Sequence, residues 1–291
     1  MDITARTRLL CVLGCPVEHS VSPEMQNAAL RVAGVPIVYA AFRVTPEYLG
    51  SALAGLQALG FVGANLTIPH KEAGAQMMDR LSPEAAALGA VNTVIFSADG
   101  MVGHNTDVCG FLEPLRREGI DPAGKKAVVL GAGGAARAVV YGLSREGASV
   151  TIVNRTAERA RVLADITAAT LSPGKQARAP MALASGSSEA EDAVRGCDLL
   201  VNATSAGMAP NVEELPPIKT DWLRRETVVI DLIYRPRVTA LLRAAMDRGC
   251  RTMNGLGMLV HQGAESLRLW LGIEADVTAM ERAALNALRD S

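Results

Sequence analysis

Lys71 closes the stretch Asn65-Leu66-Thr67-Ile68-Pro69-His70-Lys71, in which a short apolar run ends in polar side chains and a proline stands where a helix should begin. The orphan N–H groups of a helix N-terminus carry partial positive charge, so an ammonium group two residues into that helix is placed at a cost. The helix end disfavours the charged form, and a nearby carboxylate such as that of Asp107 would restore that form and hold the side chain in place. A lysine balanced in this way suits proton exchange near neutral pH. Spacing alone leaves open whether Asp107 is close.

Other polar clusters also follow strand-like runs: Ser20 and Ser22 in CPVEHSVSPE, Asn65 and Thr67 in NLTIPHK, Asn92 in GAVNT, and Asp107 in GHNTD. Ligands of open α/β sheets bind outside the carboxyl ends of the strands, so these clusters are expected to converge on one crevice. Each also has a plainer reading. Ser22 before Pro23 and Thr67 before Pro69 suit helix caps, and Asp107 can cap or charge-complement the helix that follows it.

A second chemistry is written in VVLGAGGAARA, which places Gly131, Gly133 and Ala136 in the G-x-G-x-x-G/A pattern between an apolar strand and a helix. The first glycine permits a tight turn, the second lets the backbone approach a pyrophosphate, and the small third residue lets helix and strand pack closely. The loop Gly131-Ala132-Gly133-Gly134-Ala135 is therefore expected to cradle a dinucleotide. The next strand, SVTIVNRT, ends in Asn154, Arg155 and Thr156, with Arg159 one helical turn on. An NAD site would place a carboxylate there for the ribose hydroxyls, whereas a guanidinium fits a 2′-phosphate, so the expected cofactor is NADP (NADPH). Arg155 as a solvated loop residue is the other reading.

The elements that must position these groups alternate. RLLCVLG, IVYAAFRV and FVGANLTI read as strands, and SPEMQNAALRVAG and PEYLGSALAGLQALG read as helices. This order predicts βαβ units on a mainly parallel sheet. TDVCGFLEPLRREG reads as a connecting helix in which Pro114 should cause a kink or an interruption. A second α/β series runs from KAVVLG to CRTMNGLG, and the segment between Leu171 and Ser188 reads as loop around one short strand. The last two segments are helical and need a surface for their apolar faces, for which the first domain is the natural candidate. The expected fold is thus α/β: a substrate-binding domain with a mainly parallel mixed sheet (1–107 plus 256–291), a Rossmann-type NADP-binding domain (108–255), and an active-site cleft between them.

Composition sets the outer limits. Among 291 residues, 49% are hydrophobic and 20% charged, with a formal net charge of -1, so neither disorder nor a polyanionic partner is indicated. No run approaches the roughly 18 apolar residues of a membrane span, and the first segment is too short in its apolar run for a signal peptide. Cys11, Cys15, Cys109, Cys197 and Cys250 form an odd, scattered set without a CxxC pair, which points to reduced thiols, a cytoplasmic location and no metal site. The expected partner is a small-molecule substrate, without nucleic acid or membrane. A homodimer is an open alternative to a monomer.

These residues together resemble the shikimate dehydrogenase family. The resemblance runs from GCPVEHSVSPEMQNAAL through GANLTIPHKE, GAVNT, GHNTD, GAGGAARA, NRT, NATSAGM and DLIYRPRVTALL to GLGMLVHQGAESLRLW, nearly the full chain in the family's order. It implies reversible reduction of 3-dehydroshikimate by NADPH to shikimate, a step toward chorismate and the aromatic amino acids. It also implies roles. Lys71 and Asp107 would be the catalytic pair, and hydroxyls of Ser20, Ser22 and Tyr234 would hold the substrate carboxylate. Thr67, Asn92 and Gln262 would bond the ring hydroxyls, and Leu232 and Gly255 would touch the nicotinamide side of the cofactor. Gln26 departs from the family, where histidine is common at that place.

Three alternatives stay beside this reading: a relative that takes quinate or uses NAD, a non-catalytic NADP-binding sensor, and another two-domain dehydrogenase acting on folate or amino-acid substrates. The absence of an acid at 154–156 speaks against NAD, and the presence of both Lys71 and Asp107 speaks against the sensor. The serine pair and the NLTIPHK stretch speak against the third.

Overall fold

The computed structural model describes residues 3–171 and 178–290. The chain divides into two compact units, Met1–Gly110 with Leu259–Ser291, and Phe111–Met258.

The first unit runs β1 (Arg8–Gly14), α1 (Ser22–Val32), β2 (Ile37–Arg43), α2 (Leu49–Ala58), β3 (Gly63–Leu66), α3 (His70–Ala75), β4 (Arg80–Leu81), α4 (Pro83–Leu88), β5 (Thr93–Ser97) and β6 (Gly100–His104). It continues into α5 (Asp107–Arg117), whose first turn belongs to this unit. Its sheet has the order β2-β1-β3-β5-β6-β4. β2, β1 and β3 are parallel, whereas β5 runs antiparallel to both β3 and β6. The mixed sheet expected from the sequence is therefore present. β1 is buried from Leu10 onward, as a central strand covered on both faces must be, and its run of consecutive apolar residues follows from that.

One apolar cluster joins Cys11, Leu13, Ala64 and Leu66 of the sheet to Leu49, Leu53 and Leu56 of α2. Each fully buried leucine in it contributes about 1.5–3 kcal/mol relative to exposure. The chain later returns to this unit through α10 (Leu256–Leu271) and α11 (Val277–Asp290). There α11 packs on α1, Trp270 of α10 donates its indole N–H to the carbonyl of Val94 at 2.9 Å, and Gln26 of α1 donates to the carbonyl of Gly263 at 3.2 Å.

The second unit contains β7 (Lys126–Leu130), α6 (Gly134–Arg145), β8 (Ser149–Asn154), α7 (Ala157–Thr170), β9 (Met181–Ala184), α8 (Ser188–Arg195), β10 (Leu199–Asn202), β11 (Val228–Asp231), α9 (Ala240–Asp247) and β12 (Arg251–Asn254). All its strands are parallel, in the order β12-β11-β10-β7-β8-β9. The central position of β7 with the order reversing beside it is the doubly wound arrangement that binds dinucleotides. β9 is the short strand expected after Leu171, while residues 172–177 of the expected loop lie outside the described residues.

One expectation fails in part. Helix α5 is continuous from Asp107 to Arg117 with Pro114 inside it, so the proline does not interrupt it. The following turn closes around it, because Glu118 N–H donates to the Pro114 carbonyl at 3.1 Å. Val108, Phe111, Leu112 and Leu115 are all buried, and that apolar stripe holds the helix through the one hydrogen bond a proline removes.

Candidate active site

The antiparallel turn of β5 assembles the first group. Asn65 near the end of β3 pairs with Thr93 at the start of β5, and Thr93 pairs with His104 at the end of β6. Residues following β3, preceding β5 and following β6 thus share one sheet edge. Helix α3 leaves that edge with Pro69 at its N-cap and Lys71 as its second residue, so the charge sits in the first turn as the sequence suggested. Lys71 is anchored on its backbone side, its carbonyl accepting from Val91 N–H at 2.9 Å. The neighbouring His70 is fully buried, with Nε2 2.7 Å from the Val44 carbonyl, and fixes α3 against the end of β2.

From there the Lys71 ammonium reaches Oδ2 of Asp107 at 2.6 Å. The Lys71 side chain is 24% exposed and that of Asp107 is 7% exposed, so the carboxylate is deep while the ammonium still opens outward. The other carboxylate oxygen, Oδ1, accepts from Asn92 Nδ2 at 2.8 Å. Asn92 in turn lies 3.5 Å from Oε1 of Gln262, bringing α10 to the same cluster. The structure therefore brings Lys71, Asp107, Asn92 and Gln262 together.

Thr67 and the two serines occupy neighbouring strand ends. Thr67 N–H donates to the Leu13 carbonyl at 3.0 Å, and Ser20 Oγ accepts from Ser22 N–H at 3.3 Å. Asp107 does lie in the first turn of α5, where its charge complements the helix end, but the plainer cap readings of Ser22 and Thr67 find no support. The N-cap of α1 is Val21 and that of α3 is Pro69, and neither makes a side-chain cap hydrogen bond. The hydroxyls of Ser22 and Thr67 are thus not used up by helix ends.

Behind this cluster lie Asn65, which the sequence placed among the converging polar groups, and Thr93, Thr106 and Ser266, to which it assigned no role. Thr106 N–H donates to Asn92 Oδ1 at 2.8 Å, Thr93 and Ser266 hydroxyls lie 2.9 Å apart, and Asn65 Nδ2 donates to the Asn92 carbonyl at 2.9 Å. Asn65, Thr93 and Thr106 lie at or beside strand ends, which signals them by residue type, whereas Ser266 sits inside α10 and no local pattern marks it.

In the second unit Gly131 has φ +105°, which side-chain-bearing residues rarely adopt. Its N–H donates to the Val153 carbonyl at 2.9 Å, tying the glycine loop to β8. Gly133 is the N-cap of α6, and a Cβ added at Gly133 or Gly134 would meet nothing within 4 Å. No packing of the chain itself requires those two glycines, and their missing side chains leave room for a pyrophosphate beside the exposed N–H groups of α6. Ala136 is fully buried against the sheet. At the end of β8 Asn154 Nδ2 donates to the Thr156 carbonyl at 2.9 Å and shapes the turn that presents Arg155 and Arg159. Both arginines are exposed. This donor set fits NADP.

Leu232 and Gly255 adjoin each other: a side chain at Gly255 would collide with the Leu232 carbonyl. Leu232 is held from behind. Its N–H donates to the Asn202 carbonyl at 3.0 Å, and the buried Asp231 accepts from Asn202 Nδ2 at 3.0 Å and from the Thr239 hydroxyl at 2.6 Å. Burial raises the Asp231 carboxyl above its usual range, and the Thr239, Ile233 and Asn202 donors partly offset this. Tyr234 lies two residues beyond Leu232, and burial raises its phenol against the opposing pull of Arg235, so its hydroxyl is a neutral donor.

The most deeply buried thiols are poor nucleophiles. None of the five cysteines is in a disulfide, and burial pushes the Cys11 and Cys197 thiols up to about 12. Among the described residues, no group of three or more His, Cys, Asp or Glu could hold a metal ion, and no helix is long and apolar enough to cross a membrane.

Comparison with known families matches residues 12–94 to the shikimate dehydrogenase substrate binding domain, 116–232 to shikimate / quinate 5-dehydrogenase, and 255–285 to the shikimate 5'-dehydrogenase C-terminal domain. The chain is 47% identical over 289 residues to the shikimate dehydrogenase (NADP(+)) of Moorella thermoacetica, covering 99% of this chain and 96% of the relative. The chain belongs to the shikimate dehydrogenase family. A second family member, the shikimate dehydrogenase (NADP(+)) of Methanopyrus kandleri, is 46% identical over 99% of both chains. Among solved structures, that of the Thermus thermophilus shikimate 5-dehydrogenase in complex with NADP(H) and shikimate superposes with a TM-score of 0.85. It is 39% identical, over 97% of this chain and 100% of that one. Family membership accounts for both halves of the geometry, the Lys71 cluster on a mixed sheet and the glycine loop on a parallel one.

Proposed function

We infer that the chain catalyses the reversible, NADPH-dependent reduction of 3-dehydroshikimate to shikimate, in the route to chorismate and the aromatic amino acids. The observation that carries this is the Lys71–Asp107 pair at 2.6 Å, set in a family member that retains the glycine loop and the arginines after β8.

NADPH, when bound, supplies the hydride. Lys71 gives a proton from Nζ to the substrate oxygen as the carbonyl becomes an alkoxide, and takes it back in the reverse direction. Asp107 holds that ammonium through Oδ2 and offers Oδ1, already shared with Asn92, to a ring hydroxyl. Thr67, Asn92 and Gln262 bond ring hydroxyls, and Ser20, Ser22 and Tyr234 hold the carboxylate through neutral hydroxyl donors.

The loop Gly131–Ala135 takes the pyrophosphate, Asn154, Arg155, Thr156 and Arg159 the 2′-phosphorylated ribose, and Leu232 and Gly255 the nicotinamide side. Residues 1–107 with 256–291 are proposed as the substrate domain and 108–255 as the cofactor domain. Five cysteines, none of them in a disulfide, support a cytoplasmic location. The homodimer is a proposal of the same kind, tested by the chain's mass in solution.

The deciding experiment follows the absorbance of reduced nicotinamide with shikimate or quinate, each with NADP or NAD. Turnover confined largely to shikimate with NADP supports the proposal. Comparable turnover of quinate with NAD points to the broader dehydrogenase, and silence in all four mixtures with intact NADPH binding points to a sensor.

A further inference from the structure

Behind the Lys71 pair lies a buried net of polar side chains whose hydrogens can be followed one by one. Tyr39 donates its hydroxyl to Asn65 Oδ1 at 2.7 Å, which orients that amide so that Nδ2 faces the Asn92 carbonyl, the Thr93 hydroxyl and the Ser266 hydroxyl. Thr106 donates its backbone N–H to Asn92 Oδ1 at 2.8 Å, which orients the second amide with Nδ2 toward Asp107. Between the two amides stand three hydroxyls, those of Thr93, Thr106 and Ser266, all on residues no more than 2% exposed.

Ser266 is the member that comes from the far end of the sequence. Its hydroxyl donates to the Gln262 carbonyl one turn back in α10, at 2.9 Å. A serine has one hydrogen, so toward the net it can only accept. Its two lone pairs face Asn65 Nδ2 at 3.2 Å, Thr93 Oγ1 at 2.9 Å and Thr106 Oγ1 at 3.3 Å. The Thr93 and Thr106 hydroxyls have two hydrogens to place, and the acceptors nearest to both are Ser266 Oγ and Asn92 Oδ1, with Gln262 Oε1 farther off at 3.5 Å from Thr106 and the two threonine oxygens 3.4 Å apart. With Ser266 present both are placed. Without it, the nearest acceptor left to either hydroxyl is Asn92 Oδ1, which already accepts the Thr106 N–H, and the other choices are the longer contacts at 3.4 and 3.5 Å.

We propose that Ser266 is a positioning residue for the reaction: by accepting from Thr93 and Thr106 it keeps Asn92 Oδ1 free for the Thr106 backbone, and so keeps the Asn92 amide aimed at Asp107 and Asp107 aimed at Lys71. It touches neither member of the catalytic pair. The inference rests on the functional reading above and adds that α10 supplies more than Gln262 to the site. Buried networks of this kind act as units, since each bond fixes the direction of the next.

The test is steady-state kinetics of Ser266→Ala, Thr93→Val and the double variant with shikimate and NADP, with thermal unfolding of each. Shikimate deuterated at the carbon that gives up hydride is used alongside the protium form. The expected result for Ser266→Ala is a fall in kcat of about fivefold, the scale of one hydrogen bond. The KM for NADP stays unchanged, and the deuterium isotope effect rises because proton and hydride transfer have become slower relative to release. Thr93→Val should give a similar loss, and the double variant should lose much less than the product of the two single losses. A purely structural role would lower the unfolding temperature and the active fraction while leaving the isotope effect at its parent value. A folded Ser266→Ala with parent kcat and isotope effect, or losses that multiply independently, overturns the inference. Turnover of the unaltered chain with shikimate separately decides the reading on which it rests.

Discussion

The Lys71 ammonium and the Asp107 carboxylate meet at 2.6 Å although 36 residues separate them in the chain. The lysine lies in the first turn of α3 and the aspartate in the first turn of α5, so the carboxylate offsets the positive helix end that the lysine faces.

Replacing Lys71 by alanine removes the proton donor and leaves the rest of the cluster in place. Activity with shikimate and NADP should fall by about 10²–10⁴-fold in kcat. NADP binding, measured by fluorescence titration, should stay at the parent value, because no part of the glycine loop is altered. A variant that retains a tenth of the parent kcat would remove Lys71 from the chemistry.

Exchanging Arg155 and Arg159 for alanine should act on cofactor choice alone. Both side chains are exposed, so stability should change little. The KM for NADP should rise at least about tenfold, the scale of a lost charged hydrogen bond, while the KM for NAD stays level. Equal changes for the two cofactors would place these guanidiniums in solvent.

Gly133→Val separates the cradle from the fold. The backbone at Gly133 is extended, with φ -91° and ψ -172°, and an added Cβ meets nothing within 4 Å. Unfolding free energy should therefore move by no more than about 1 kcal/mol, the scale of a cap change. Affinity for NADP should fall more than about tenfold, because the new side chain fills the space kept for the pyrophosphate. Undiminished affinity in calorimetry would exclude this loop from the cofactor site.

His104, half-buried at the end of β6, gives the expected pH dependence. Burial lowers its imidazole below the usual 6.5, Glu84 and Glu265 pull it back up, and Arg268 adds to the lowering. The folded state therefore binds the proton less readily than the unfolded chain. This contribution to stability is complete above 6.5 and is lost as pH falls through the lower folded value. Urea midpoints of the parent and His104→Asn at about pH 5.5 and 7.5 should show the parent losing more on acidification. Parallel shifts in the two proteins would assign the acid sensitivity to other groups.

Local patterns made much of the architecture legible. Seven consecutive residues, Arg8–Gly14, appear as β1 over the stretch that reads as a strand, because a central parallel strand is apolar where both its faces are buried, here from Leu10 onward. The glycine loop was legible for a similar reason, since a turn with φ +105° at Gly131 strongly restricts the residue that can occupy it. The interruption expected at Pro114 does not occur, because the sequence shows the missing N–H but not the buried stripe of Val108, Phe111, Leu112 and Leu115 that holds α5 together.

What the sequence by itself determined was the set of elements and the residue types at their ends: these depend on periodicities of two and 3.6 residues and on turn stereochemistry, which act over a few neighbours. Tertiary structure decided which ends meet. The antiparallel insertion of β5 between β3 and β6 puts Asn65, Thr93 and His104 in one row, and this brings both Lys71 and Asn92 onto the Asp107 carboxylate. The return of α10 to the same unit then sets Ser266 against Thr93, 173 residues away. Such pairings depend on strand order and on the burial of helix faces, which are settled by the free energy of the whole core, and no spacing along the chain encodes them.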